Sequence, residues 1–138
     1  MSHVIPVTCG IILWNARVLC VQRSESMHLP FKWEFPGGKV EPEEDEQSCL
    51  QREILEELDL RIDIIASLTP VVYQYAGKSP IRLIPFIASC VRPLVKLREH
   101  RDSAWLAPEE LPDLDWAAAD IPIVEEFMNW WKVHKQQI

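Results

Sequence analysis

Residues Gly38 to Leu60 read GKVEPEEDEQSCLQREILEELDL. Within them Leu50, Ile54 and Leu58 recur every four positions and Leu55 widens the stripe, which predicts an amphipathic helix over 45–58 packed on a core. Its entrance is acid-rich, as the helix dipole prefers. The i, i+3 and i+4 spacings put Glu53, Glu56 and Glu57 on one helical face. Like charges so placed cost roughly 0.2 to 0.5 kcal/mol per pair, and the last two lie toward the C-terminus, where the dipole disfavours anions. Arg52 reaches Glu56 at i+4 but lies on the flank of the patch, so a further cation is expected. Hard oxygen donors with no His or Cys among them favour Mg²⁺, with Mn²⁺ as a substitute, over zinc.

An isolated Glu-x-x-Glu-Glu is more often an ordinary solvated helix face. The neighbouring Pro36-Gly37-Gly38 shifts the balance, because a glycine-rich loop can lay backbone carbonyls beside the carboxylates and add a ligand without charge.

Working outward, Ile5 to Leu13 and Val18 to Val21 are short, apolar and rich in β-branched residues, a hairpin turning through Trp14, Asn15 and Ala16. Trp33 to Phe35 is a brief extended piece. Further strands are expected at 62–68, 71–74, 81–91 and 103–106, and Pro85 predicts that the longest is an edge strand or carries a bulge. Asp120 is placed as the N-cap of a last helix, with Pro122 in its first turn, Ile123, Val124, Phe127 and Trp131 buried, and Lys132, His134 and Lys135 at its C-terminal end. Strands interleaved with two helices indicate a mixed α/β domain with helices on both faces of a sheet.

The chain has 138 residues, enough for one domain. Its formal charge of −7 disfavours a nucleic acid polymer as partner. No apolar run approaches the roughly 18 to 20 residues of a membrane helix, and Met1 to Pro6 lack the charged lead of a signal segment, so no membrane partner and a cytoplasmic location are expected. Cys9, Cys20, Cys49 and Cys90 show no paired spacing and are expected as reduced thiols. Nothing in the pattern specifies an oligomeric state.

The quoted stretch resembles the box of the Nudix hydrolase family: Gly, five residues, Glu, seven residues, Arg-Glu, an aliphatic, any residue, Glu-Glu, any residue, Gly, an aliphatic. Gly38, Glu44, Arg52, Glu53, Ile54, Glu56, Glu57 and Leu60 fit, and Asp59 stands where the family has Gly. That position suits a left-handed C-cap, which Asp tolerates for about 1 kcal/mol or less. The early hairpin, Gln22-Arg23, His28, Trp33 to Gly38, Glu99 before Trp105, and Ala119 to Pro122 extend the likeness to the MutT-type branch, and within it to small nucleoside triphosphate pyrophosphohydrolases.

The resemblance implies a single Nudix domain over 1–138, an α/β/α sandwich around a mixed sheet, and hydrolysis of a nucleoside triphosphate to monophosphate and pyrophosphate, CTP-like or oxidised nucleotides included. Carried over by position, the Gly37 carbonyl, Glu53, Glu56, Glu57 and Glu99 would ligate metal, with Glu99 alternatively the base for water. Arg52 would orient a glutamate, and Glu44 would either do the same or coordinate directly. Arg23, His28, Glu34, Phe35, Pro36, Gly37 and Asp120 would meet a small-molecule nucleotide, Arg23 at the phosphates or sugar and Asp120 at the base. Trp33, Phe35, Tyr73 and Tyr75 are stacking candidates, though aromatics at strand positions more often pack in the core, and Trp116, Trp130 and Trp131 read as packing residues. The alternatives are cleavage of another nucleoside diphosphate-linked compound, such as a dinucleoside polyphosphate or nucleotide sugar, and a catalytically silent nucleotide-binding module.

Overall fold

A computed structural model describes residues 3–137. Eight strands form one mixed sheet: β1 (Ile5–Trp14), β2 (Arg17–Gln22), β3 (Trp33–Glu34), β4 (Gly37–Lys39), β5 (Asp63–Ser67), β6 (Val71–Tyr73), β7 (Ile81–Ser89) and β8 (Asp102–Leu106). Along the order β3-β2-β1-β7-β5 only the central β1·β7 pair is parallel; β4 also pairs with β1, β6 with β7 and β8 with β2. Helices α1 (Glu46–Leu58) and α2 (Ile121–His134) complete the fold, with 3₁₀ turns at Pro108–Asp113, Ala118–Asp120 and Lys135–Gln137.

The central strands are apolar on both faces, and their alternation feeds two cores. Leu50, Ile54 and Leu58 of α1 pack with Ile12, Leu19, Val21, Ile84 and Phe86 on one face of the sheet. Ile123, Val124 and Phe127 of α2 pack with Ile11, Leu13, Val18, Cys20 and Ile87 on the other. The period-2 pattern thus sends neighbouring residues such as Ile11 and Ile12 to opposite cores, as a sheet covered by helices on both sides requires. Trp116 is buried, and Trp130 and Trp131 pack against the α2 core. The four cysteines are free thiols, three of them buried. Among the described residues no helix is long and apolar enough to cross a membrane.

Three local expectations change. Pro85 lies in an inner strand, not an edge: β7 pairs with β1 on one side and with β5 and then β6 on the other. Its carbonyl accepts from Leu68 N–H at 3.0 Å, so its imide nitrogen faces the gap where the neighbouring chain passes from β5 to β6, and no ladder donor is lost. The bulge falls on β5, at Ile64/Ala66. The Gly37-Gly38 segment is not a loop but strand β4, in register with Cys9 and Thr8 of β1. Asp120 precedes α2 but does not cap it with its side chain.

The two ends of α1 follow elementary capping rules. Asp45 accepts from Ser48 N–H and Oγ–H, each at 2.8 Å. Asp59 adopts the left-handed conformation (φ 54°, ψ 38°) and its N–H donates to the Leu55 carbonyl. A side chain in that region is strained, and a carboxylate there also opposes the dipole. Asp59→Gly should therefore raise unfolding stability by about 1 kcal/mol in urea titration, with turnover unchanged.

Candidate functional site

Packing decides which side chains are gathered. α1 lies on the sheet with its acidic face toward β4, close enough that a Cβ on Gly38 would collide with the Glu53 carboxylate and one on Gly37 with the Thr8 backbone. Glycine here is a requirement of close approach between strand and helix. The Thr8 hydroxyl, fully buried, donates to the Gly38 carbonyl at 3.1 Å and fixes β4 further.

Arg52 reaches more of the acidic patch than its flank position predicts. It pairs in bidentate fashion with Glu44 (2.6 and 2.9 Å) and donates to Glu53 at 3.1 Å and Glu56 at 3.2 Å. Its hydrogen bonds, followed by the Glu41 N–H, hold the Glu44 carboxyl at about 2, so Glu44 is committed to Arg52. The carboxylate Arg52 leaves out is Glu57. Glu57 Oε2 is buried without a partner among the described residues. Burial raises its pKa, and the neighbouring Glu53, Glu99 and Glu34 raise it further.

Among the described residues no three His, Cys, Asp or Glu side chains stand in a metal-holding group, and Glu53 and Glu56 each accept from Arg52. The donor set still fits a hard cation. Glu57 has an open oxygen, its neighbours Glu53, Glu99 and Glu34 are carboxylates, and Glu53 and Glu56 share one guanidinium.

Glu57, Gly37 and Gly38 form one side of a cavity of about 540 Å³, whose further walls include Arg23, His28, Glu34, Tyr75 and Asp120. Glu34 bridges Arg23 Nη1 at 2.9 Å and His100 Nε2 at 2.8 Å. Arg23 also donates through Nε to the His28 carbonyl, and the exposed His28 ring meets Tyr75 edge-on at 5.6 Å. Asp120, 5% exposed, turns away from the helix end and accepts the Phe35 N–H at 2.9 Å. Burial, then the Glu34 charge, pushes its carboxyl up to about 8, while the Phe35 N–H and Arg23 pull the other way.

Not every expected residue meets the cavity through its side chain. Phe35 is among the residues that line the cavity, but it is buried and packs its ring on Trp116 at 4.7 Å. Pro36 is buried and its carbonyl takes the Gly10 N–H at 2.8 Å; it does not line the cavity. Glu99 is exposed, yet close enough for its charge to act on Glu57. Tyr75 lines the cavity and accepts the Ala119 N–H at 2.9 Å; the Tyr73 ring packs against it, tilted by 55° at 4.7 Å, and Tyr73 is not among the lining residues. His100 and Lys78 were not legible as site residues, His100 having only its place beside Glu99 to mark it.

The site is thus a glycine strand laid against a carboxylate helix, with a cavity beside them. Residues 4–127 match the NUDIX domain, so the chain belongs to that family, and its relatives place it among the enzymes that act on phosphoanhydride bonds. It is MutT-like and has the mixed sheet flanked by helices of that fold. It is 32% identical over 124 residues to the CTP pyrophosphohydrolase of Escherichia coli (strain K12), covering 90% of this chain and 91% of that one. It is also 32% identical to nucleoside triphosphatase NudI of Enterobacter sp. (strain 638), covering 79% and 86%. The solution NMR structure of DNA mismatch repair protein MutT from methicillin-resistant Staphylococcus aureus 252 is 40% identical, with a TM-score of 0.76 over 94% of this chain and 98% of that one.

Proposed function

We propose that the chain is a Mg²⁺-dependent nucleoside triphosphate pyrophosphohydrolase, converting a (d)NTP and water to (d)NMP and pyrophosphate, with CTP-like and oxidised or otherwise modified nucleotides among its candidate substrates. The observation that carries this reading is Glu57: a half-buried carboxylate with an open oxygen, set among Glu53, Glu99 and Glu34 at the cavity wall. A polyphosphate brings still more negative charge, which a divalent cation held by these carboxylates would offset.

In this reading Glu53, Glu56, Glu57 and the Gly37 carbonyl hold the metal, with Glu99 as a further ligand or as the base. When bound, the divalent ion supplies Lewis acidity at the phosphate oxygens and a more acidic water. Glu57 or Glu99 accepts the proton as the water oxygen bonds to phosphorus and the bridging P–O bond breaks. Arg23, held by Glu34, faces the substrate as a fixed cation, and Glu34 and His28 frame the sugar and base. Asp120 presents a carboxyl whose protonation is poised near neutrality, suited to accept from an exocyclic amine or to pair with an N–H edge.

Arg52 works through the glutamates it binds. Arg52→Gln should lower kcat about 10- to 100-fold while KM changes little, the pattern of a lost orienting partner. The overall reading is tested by incubating the purified protein with common and oxidised nucleoside triphosphates, a dinucleoside polyphosphate and a nucleotide sugar, with and without Mg²⁺. Ion-exchange chromatography should show monophosphate and pyrophosphate from a triphosphate only when Mg²⁺ is present. Release of inorganic phosphate in single steps, preference for the dinucleoside compound, or no turnover at all would contradict it.

A further inference from the structure

Between the end of β7 at Ser89 and the start of β8 at Asp102 the chain carries no regular secondary structure, and Glu99 lies in this stretch, exposed, on a bend. An irregular segment has many conformations available, so a carboxylate that must act at one place needs an anchor. Backbone bonds tie the segment down at Lys96, whose N–H donates to the Leu58 carbonyl at 2.9 Å, and at Arg101, whose N–H donates to the Gln22 carbonyl at 2.9 Å. Between those ties Leu97 packs against the core beneath α1, and the side chain that anchors the segment by a hydrogen bond is His100.

The His100 side chain is 4% exposed, and its Nε2 meets Glu34 Oε2 at 2.8 Å. The other oxygen of the same carboxylate takes Arg23 Nη1 at 2.9 Å. One glutamate therefore joins the residue after Glu99 to the cationic side chain of the cavity. His100 Nδ1 is buried without a partner among the described residues. An apolar side chain of similar volume would fill this place without burying an unpaired nitrogen, so packing alone does not account for a histidine here. What the imidazole adds is the bond to Glu34.

We infer that His100 is a positioning residue: pinned to Glu34, it holds the Glu99 segment in register with Arg23, so that one buried side chain sets both the proton-handling and the phosphate-binding sides of the site. With its proton on Nε2 the ring donates to the carboxylate, which is left free to accept from Arg23 with its second oxygen. The inference rests on the nucleotide reading of the cavity given above.

The test is a double-mutant cycle between His100→Leu and Glu34→Gln, with His100→Gln as the conservative variant, assayed in saturating Mg²⁺ on the triphosphate that the parent turns over fastest. His100→Leu should lower kcat about 10-fold, through Glu99, and raise KM several-fold, through Arg23. His100→Gln, whose amide N–H reaches the place of Nε2, should stay within about 3-fold of the parent in both. In the Glu34→Gln background the Leu substitution should add little. Trypsin should cut the folded Leu variant faster than the parent at Lys96, Arg98 and Arg101. Should His100→Leu not fold, the cycle is run with His100→Gln alone, which must then retain activity in the Glu34 background. Additive effects, a Gln variant as damaged as the Leu variant, or unchanged kinetics overturn the inference while leaving the nucleotide reading in place. A parent that neither binds nor hydrolyses any triphosphate overturns both.

Discussion

Glu57→Gln should reduce kcat by about 10³-fold while leaving the folded protein at least as stable as the parent. The two effects share one cause. Glutamine keeps the shape of the side chain but removes an ionisable group whose charged form is disfavoured by burial and by Glu53, Glu99 and Glu34. Without a cation the fold then no longer has to hold a proton there that the unfolded chain would release, so the thermal midpoint stays level or rises. With Mg²⁺ and substrate the same removal deprives the site of a ligand or base. A residue held for structure would show the opposite pairing, with loss of stability and modest loss of rate. Thermal denaturation and steady-state kinetics on the same preparation separate the two.

The second large effect is on stability as a function of pH. Asp120 is pushed up to about 8, foremost by burial. An unfolded aspartate titrates near 3.9, so between about pH 4 and pH 8 the folded chain holds a proton there that the unfolded chain has released. Stability falls with rising pH wherever the native state binds more protons. The Asp120 contribution is therefore intact below about pH 4, declines by about 1.4 kcal/mol per pH unit through the window, and levels off above about pH 8. Asp120→Asn keeps a carbonyl oxygen for the Phe35 N–H and removes the titration. The variant should match the parent near pH 4 and exceed it by up to about 5 kcal/mol at pH 8 in urea unfolding. Parallel curves across that range would show that the carboxyl is not held in its neutral form by the fold.

How much of this was legible in the sequence depends on whether local pattern or tertiary contact decides. The helix over 45–58, the early hairpin and the two helix-covered cores follow from periodicity, because Leu50, Ile54 and Leu58 have one face to bury and Ile11 and Ile12 have opposite ones. The left-handed Asp59 was legible as well, since a helix must end and the resemblance marks where. Pro85 reads as an edge signal in the sequence because only the fold shows that the neighbouring strand changes beside it. Asp120 was misread as a side-chain cap because its true partner, Phe35 N–H, is 85 residues away in the chain. Arg52 reads as the orienting partner of a glutamate, but which glutamate is hidden for the same kind of reason. Its strongest partner, Glu44, lies outside the helix, and no wheel shows it. His100 carries no local signature, and only folding brings it to Glu34.

The central claim is that the carboxylates of α1 hold a hard divalent ion against a polyphosphate. Its most direct measurement is a crystal structure with Mn²⁺ and a non-hydrolysable nucleoside triphosphate, the ion located by its anomalous scattering. The account predicts Mn²⁺ at about 2.2 Å from oxygens of Glu53, Glu56 or Glu57, with the Gly37 carbonyl and phosphate oxygens completing its shell and Arg52 withdrawn toward Glu44. An ion bound elsewhere, with Glu57 still unpartnered beside the nucleotide, would contradict it.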